Sequence, residues 1–292
     1  MKPPVFSYHD PETVADVVGL LGKCENAKLL AGGQSLMPMM NMRYVLPDHL
    51  VDLNRVKALA GIREAAGHIH IGAMTRQCDI EFSKVVRENC PLLHEAISHV
   101  GHRQTRNRGT LGGSLCQLDP SAELVLAAAA LEAIVTVTGT KGSRDIEFAN
   151  FPLAYMTPAI EPHELLTEAR FPLWNKRHGY AFVEFARRHG DFAIVSAAAL
   201  LECDSNGKIT RASLAIGGLG PGPIRVREAE QALVGHTASD ALFRSATECC
   251  RKLEALGDVH APATYRQQLA TVLSRRALEK AHARAQSAWA SA

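Results

Sequence analysis

The spacing of apolar and polar positions changes along the chain, which predicts helices and strands in one protein. Residues 14–21 repeat Val and Leu at helical spacing behind Asp10 and Pro11, two residues typical of a helix start. Residues 28–31 form a short apolar strand that runs into two glycines, and residues 36–42 return to a helical pattern. The pattern therefore predicts a strand–loop–helix unit close to the first helix.

The rest of the chain repeats this mixture and then changes character near Asn175. The predicted elements are, in chain order, strands at 50–53 and 68–71, a helical stretch over 75–101 broken at Pro91, a glycine-rich segment at 106–118, a helix at 121–130, strands at 133–138 and 163–171, a meander of strands at 180–187, 194–202 and 209–216, and two helices carrying apolar residues from Leu242 to Leu256 and from Tyr265 to Ala277. We therefore expect one domain over residues 1–175, a second over 176–286, and a frayed Ala/Ser-rich tail at 287–292.

Composition narrows the class of protein. Of the 292 residues 47% are hydrophobic and 21% are charged, which excludes disorder as the main state. The longest apolar run lies between Glu123 and Glu132, far short of the ~20 residues of a membrane span. A net charge of +2 gives no argument for nucleic acid. The seven cysteines form no CxxC motif, and no apolar signal region follows Met1, so we expect a reduced, cytoplasmic protein.

Two glycine pairs mark the candidate ligand-binding segments. The first lies in a loop from Leu30 to Leu36, between a predicted strand and a predicted helix. Glycines let backbone N–H groups come close to a ligand, and a helix N-terminus adds unpaired donors, a combination that suits a diphosphate. An ordinary strand-to-helix turn is the alternative. The second pair, Gly112 and Gly113, repeats the theme between the hydroxyls of Thr110 and Ser114. Neither segment matches GxGxxG or GxxxxGK[ST].

Three motifs carry a family resemblance: AGGQSL at 31–36, QTRNRGTLGGSL at 104–115 and DPSAEL at 119–124. Together they resemble the FAD-binding medium subunit of the molybdenum hydroxylases, a group that includes the carbon monoxide dehydrogenase flavoprotein and the flavin domain of xanthine dehydrogenase. Later motifs fit as well: RRHGDFA at 187–193 and AIGGLG at 215–220. The resemblance extends from about Phe6 to Ala285.

The resemblance implies an α+β fold in two parts. A two-subdomain FAD-binding domain of the p-cresol methylhydroxylase type would come first, with subdomains at about 1–57 and 58–175. A small C-terminal α+β domain would follow, with a three-stranded antiparallel sheet and helices.

The resemblance also implies FAD contacts at specific positions. Two segments would surround the diphosphate, mostly through backbone N–H groups, and four further residues would contact FAD. These positions are Leu30, Ala31, Gly32, Gly33, Gln34, Ser35 and Leu36; Thr110, Leu111, Gly112, Gly113 and Ser114; and Asp119, Leu166, Asp191 and Phe192. Some relatives place a Lys contact where this chain has Val183 and Glu184.

By the same resemblance, the chain is the FAD-carrying electron-transfer subunit of a heterotrimer. Electrons would come from [2Fe-2S] clusters of a small subunit and leave to an external acceptor, while a large subunit would hold the molybdenum cofactor; a dimer of heterotrimers is implied. We expect no catalytic side chain and no metal site here, since the spacing of His94, His99 and His102 favours none. The alternatives are a self-sufficient flavin-dependent reductase or oxidase on the same fold, and a flavin-free scaffold subunit.

Overall fold

The computed structural model describes residues 1–290 and shows an α+β architecture of three successive regions. The first region contains β1 (Ser7–His9), α1 (Val14–Leu21), β2 (Ala27–Leu30), α2 (Leu36–Asn41) and β3 (His49–Asp52). The second contains β4 (Ile62–Ala65), β5 (His68–Gly72), α3 (Gln77–Glu81), α4 (Lys84–Asn89), α5 (Pro91–His99), α6 (Arg103–Arg108), α7 (Leu111–Gln117), α8 (Glu123–Ala130), β6 (Ile134–Gly139), β7 (Gly142–Glu147), β8 (Pro152–Ala154), β9 (Thr157–Pro158) and β10 (Leu165–Pro172). The third contains β11 (Gly179–Phe185), β12 (Val195–Cys203), β13 (Ile209–Gly217), β14 (Ile224–Arg225), α9 (Arg227–Leu233), α10 (Asp240–Thr247) and α11 (Ala263–Ala290).

The first region is a small parallel sheet in the order β1-β3-β2, with α1 packed on it through Val17 and Leu21. The helix begins at Val14 rather than at Pro11, because Thr13 is its N-cap and accepts a hydrogen bond from the N–H of Asp16. All three strands run in one direction, so the loops that follow β2 and β3 leave the same edge of the sheet.

The second region is an antiparallel sheet in the order β4-β5-β10-β6-β7, covered by α5, α7 and α8. The helical stretch predicted over 75–101 is three helices, since Ser83 caps α4 and Pro91 begins α5. The glycine-rich segment predicted over 106–118 contains the end of α6 and the whole of α7, so Gly112 and Gly113 lie in the first turn of a helix.

After Glu123, helix α8 is apolar on every side, as expected for a helix whose residues are all buried. It contacts α5 and α7 in the second region and β12 and β13 in the third. Strand β12 is likewise buried on both faces: Ala198 and Leu200 face the core around α8, while Ala199 and Leu201 face α9, α10 and α11. This explains why its sequence is a continuous apolar run rather than an alternation.

The third region differs from expectation in three respects. Its sheet, in the order β11-β12-β13-β14, has a short fourth strand where three strands were expected. Helix α10 ends at Thr247 and passes into a 3-10 turn over Glu248–Lys252, so the apolar spacing to Leu256 is not one helix. Helix α11 continues to Ala290, so residues 287–290 of the predicted frayed tail are helical, while 291 and 292 lie outside the described residues. Among residues 1–290 no helix combines the length and the apolar character required to cross a bilayer.

Candidate cofactor-binding site

The fold brings the two glycine segments into direct contact. A Cβ atom placed on Gly32 would lie 2.3 Å from the carbonyl oxygen of Arg108, so the position has no room for a side chain. A Cβ atom placed on Gly113 would lie 3.6 Å from the Cβ of Ala31. Segments separated by about seventy residues in the sequence therefore form one continuous surface.

The first segment presents unpaired donors. Leu30 ends β2, and Gly33 then takes a left-handed conformation with φ of +73°. Within the described residues, the backbone N–H groups of residues 32–36 have no hydrogen-bond acceptor in the protein. Gln34 and Ser35 are exposed. A run of unpaired N–H groups on a turning backbone is the arrangement that binds a diphosphate, and these residues fit that group.

The second segment behaves differently, and here the sequence-based expectation needs correction. The N–H of Gly113 donates to Thr110 Oγ1 at 3.1 Å, because Thr110 is the N-cap of α7. The N–H groups of Leu111 and Gly112 donate to the carbonyls of Thr75 and Ala73, at 3.1 and 2.8 Å. The N–H of Ser114 donates to the Thr110 carbonyl. The backbone N–H groups of residues 111–114 are therefore already hydrogen-bonded within the protein. Instead, this segment offers a ligand close approach to its glycine backbone and the hydroxyl of Ser114.

A polar network fastens the two segments to each other. Asn54 Nδ2 donates to the carbonyl of Ala31 at 3.1 Å, and its Oδ1 accepts from Arg76 at 2.5 Å. Arg76 also donates to the carbonyl of Arg108. Burial, followed by the nearby Arg108 charge, lowers the pKa of the Arg76 guanidinium. Neither side chain was predicted from the sequence, although a signal for Asn54 was present, since it is a polar residue two positions after the end of β3.

Leu166 and Asp119 are placed near the second segment. Leu166 is buried in β10, and the carbonyl of the next residue, Thr167, accepts from the N–H of Ala73 at 2.9 Å. Ala73 in turn accepts from Gly112, so β10 reaches the segment through one intervening residue. Asp119 lies in the turn after α7, where burial raises the pKa of its carboxyl against the opposing effect of the Ser121 N–H at 2.8 Å.

Asp191 and Phe192 lie in the loop between β11 and β12, and both are exposed. Phe192 is 64% exposed, which is unusual for a large apolar side chain in a loop that is otherwise anchored. The loop lies beside the N-terminus of α6, since a Cβ atom on Gly190 would lie 2.5 Å from Cε1 of His102, the N-cap of that helix.

A cluster of titratable groups lies where α5, α8 and β11 meet. His99 Nδ1 is 3.1 Å from Glu184 Oε1, and this contact raises the pKa of His99. Glu123, at the start of α8, is only 4% exposed, and its burial raises the pKa of its carboxyl to about 7. Glu184 thus has a histidine partner where some relatives were expected to have Lys. Within the described residues His94, His99 and His102 do not converge on a common point.

Comparison with known protein families gives two matches that cover most of the chain. Residues 4–174 match the FAD binding domain in molybdopterin dehydrogenase. Residues 180–281 match the CO dehydrogenase flavoprotein C-terminal domain.

Similar proteins match over nearly their full length. The chain is 40% identical to the 6-hydroxypseudooxynicotine dehydrogenase complex subunit alpha of Paenarthrobacter nicotinovorans, over 98% of this chain and 97% of that protein. It is 37% identical to the carbon monoxide dehydrogenase medium chain of Afipia carboxidovorans, over 98% and 99%. Among solved structures, a chain of the carbon monoxide dehydrogenase of Hydrogenophaga pseudoflava superimposes with a TM-score of 0.94 at 35% identity, covering 97% of this chain and 99% of that one.

Proposed function

This chain belongs to the family of FAD-binding subunits of the molybdenum hydroxylases, and from that premise we propose that it is the electron-transfer subunit of a heterotrimeric enzyme of this class. The family matches confirm the resemblance seen in the three sequence motifs. They also support FAD as the cofactor and an oxidoreductase complex as the assembly to which such subunits belong. The proposal goes further and concerns the electron path and the partner chains.

In the proposed path, electrons arrive from [2Fe-2S] clusters of a small partner subunit and leave to an external acceptor. Substrate hydroxylation takes place at a molybdenum cofactor in a large partner subunit, and two heterotrimers form a dimer. When bound, FAD supplies the capacity to take up and release one or two electrons. The seven cysteines are unpaired, which favours a reducing compartment, and we therefore propose the cytoplasm.

The observation that carries the proposal is the unpaired donor run at residues 32–36, closed on one side by the second glycine segment. In the proposed complex these N–H groups hold the FAD diphosphate, together with the backbone of Leu30 and Ala31. Thr110 to Ser114 form the opposite wall, and Ser114 adds a hydroxyl donor.

The remaining predicted residues orient the flavin ring. Leu166 contacts it through its backbone, and the exposed Phe192 covers it and excludes water, with Asp191 beside it. Asp119 lies at the far end of the second segment. We further propose that residues 1–175, divided near residue 57, form the FAD-binding domain and that residues 176–286 form the C-terminal domain.

An absorption spectrum of the purified chain tests the proposal, recorded with and without added FAD and again after mild reduction. An oxidised-flavin spectrum that bleaches on reduction is the expected result, and the partner subunits should co-purify from the source cell. Absence of flavin even with FAD and both partner subunits added would overturn the proposal in favour of a flavin-free scaffold. Substrate turnover by the isolated chain would favour the self-sufficient reductase.

A further inference from the structure

Three metal-binding side chains meet on the first sheet, away from the glycine segments. His9 on β1, Cys24 in the turn after α1 and His49 on β3 place one imidazole nitrogen, one thiol sulfur and a second imidazole nitrogen within 4.8 Å of one another. His9 Nε2 and His49 Nδ1 are 3.0 Å apart. All three residues are half-buried. The three residues are separated by 15 and 25 positions, so no local sequence motif groups them.

The positions of the three side chains are set by the protein itself. Asn26, two residues after Cys24, donates to Asp48 Oδ2 at 2.9 Å, and Asp48 directly precedes His49. The carbonyl of Asp48 accepts from the N–H of Ser7 at 2.8 Å, which aligns β1 and therefore His9. A chain of backbone and side-chain hydrogen bonds thus assembles the group without requiring a ligand.

The donor set indicates which ion would fit. Two imidazoles and one thiolate suit a borderline-soft ion, and Zn²⁺ binds His nitrogen at about 2.0–2.1 Å and Cys sulfur at about 2.3 Å. Tetrahedral bonds of those lengths separate ligand atoms by about 3.3–3.6 Å. The two nitrogens are 3.0 Å apart and the sulfur lies within 4.8 Å of both, so each separation needs to change by only about 1 Å or less. The half-buried position leaves a fourth coordination site for water.

The simpler alternative is a hydrogen bond between two neutral imidazoles, one donating and one accepting. That alternative gives no role to Cys24, whose thiol makes no hydrogen bond in the described part of the chain. A shared ion would engage all three side chains.

We propose that His9, Cys24 and His49 bind one Zn²⁺ ion, which joins β1, β3 and the turn that leads into β2. His49 pairs with Ala27, at the start of the strand whose other end carries the unpaired N–H groups. The ion would therefore stabilise the sheet from the end opposite the first glycine loop. Binding replaces the thiol proton of Cys24 with a sulfur–zinc bond and releases that proton to solvent, so zinc affinity falls as pH falls.

Metal titration of the full FAD-loaded chain tests the site. Purified from metal-free medium, the chain should take up one equivalent of Zn²⁺ in competition with a chromophoric chelator. Co²⁺ should give the intense visible bands of tetrahedral coordination, at wavelengths longer than the absorption of oxidised flavin. Cys24→Ser and His49→Gln should each weaken zinc binding by at least about 100-fold, because even outer-shell partners of a metal contribute 10–100-fold.

Matched controls are available in the same chain. Cys78→Ser removes another half-buried cysteine and His68→Gln a histidine of another sheet, and neither should change the affinity. Flavin absorbance and far-ultraviolet circular dichroism report that each variant is folded, and His9→Gln replaces any variant that is not. Absence of tetrahedral cobalt bands, or zinc affinity unchanged in both Cys24→Ser and His49→Gln, would overturn the proposal.

Discussion

At the residue scale, neighbouring glycines of the first loop serve different purposes. Gly32 is required by space, since the backbone of Arg108 occupies the volume of a side chain. Gly33 is required by conformation, since its φ of +73° is strained for residues with a Cβ, while its nearest neighbours are the side chains of Met37 and Leu30 rather than backbone. The two neighbouring glycines therefore satisfy two different physical constraints.

Gly33→Asp should abolish FAD binding, because it adds a negative charge and backbone strain at the proposed diphosphate cradle. Gly113→Asp should do the same, and equilibrium dialysis against FAD measures both losses. Gly67→Asp is the matched control, since Gly67 has a φ of +75° in the β4–β5 turn, with open space around it. Full FAD occupancy in Gly33→Asp would show that the loop is wrongly placed.

Glu123→Gln should remove a pH-dependent loss of stability. Because burial raises the folded pKa of Glu123 to about 7, the folded state binds more protons than the unfolded state, and stability falls as pH rises from about 4.5 to 7. The pKa of His99 is raised as well, so its titration also lowers stability as pH rises. Glu184 and Asp119 are the other charged groups near Glu123. At pH 8 the variant should be more stable by on the order of 3 kcal/mol, and at pH 4 unchanged. Urea unfolding at the two pH values measures this; equal effects at both would contradict it.

At the element scale, helix α11 holds the loop that carries Asp191 and Phe192. Arg266 is 7% exposed and donates to the carbonyls of Ile194 and Gly218, at 2.5 and 2.7 Å. Its other nitrogen donates to Asp258 at 2.7 Å. Burial acts to raise the pKa of Asp258, but N–H groups and Arg266 outweigh it and lower that pKa to about 2. One side chain thus connects a helix, a strand end and two loops.

Arg266→Met should lower the free energy of unfolding by about 3 kcal/mol, because two buried carbonyl groups lose charged donors. The loop that carries Asp191 and Phe192 should loosen, and because both are proposed FAD contacts, FAD affinity should fall as well. Arg276→Met is the control, since Arg276 is exposed on the same helix. Urea denaturation and FAD titration measure the two effects, and matching results for the two variants would argue against this role of Arg266.

At the scale of the whole molecule, Glu95 joins the second region to the third. Its carboxylate on α5 accepts from Arg284 at 2.6 Å and from Lys280 at 2.5 Å on α11, and from the N–H of Phe182 on β11 at 3.2 Å. Burial acts to raise the pKa of Glu95, but these cations outweigh it and lower the pKa. The contact therefore stabilises the assembly of the two regions while Glu95 is ionised.

Glu95→Gln should lower the melting temperature at pH 7, because the hydrogen bonds lose their charged acceptor. The expected loss in the free energy of unfolding is about 1–3 kcal/mol. The stabilisation is present above the unfolded pKa near 4.3 and is lost as pH falls through the lowered folded pKa, so the difference should shrink as pH falls below about 4. Calorimetry at a series of pH values from 7 downwards measures it. A difference that stays constant over that series would show that the charge is not the cause.

Much of the architecture could be predicted because its signals are local. The strand before Gly32, the meander and the apolar helix α8 each follow from spacing and composition over a few residues. The helical state of residues 111–117 was missed, since glycines weaken the helical signal and the cap at Thr110 outweighs it. The short strand β14 and helix α9 were missed because neither is long enough to show a clear periodic pattern of apolar residues.

The sequence by itself determined the family, the FAD cofactor and the two segments that face each other. Only the tertiary structure decided which donors are unpaired, because the acceptors for the N–H groups of Leu111 and Gly112 come from Thr75 and Ala73, more than thirty residues earlier. It also placed Asn54 and Arg76 between the segments, and brought His9, Cys24 and His49 together. Local patterns report how the backbone turns, but the partner of each polar group depends on which distant element packs against it.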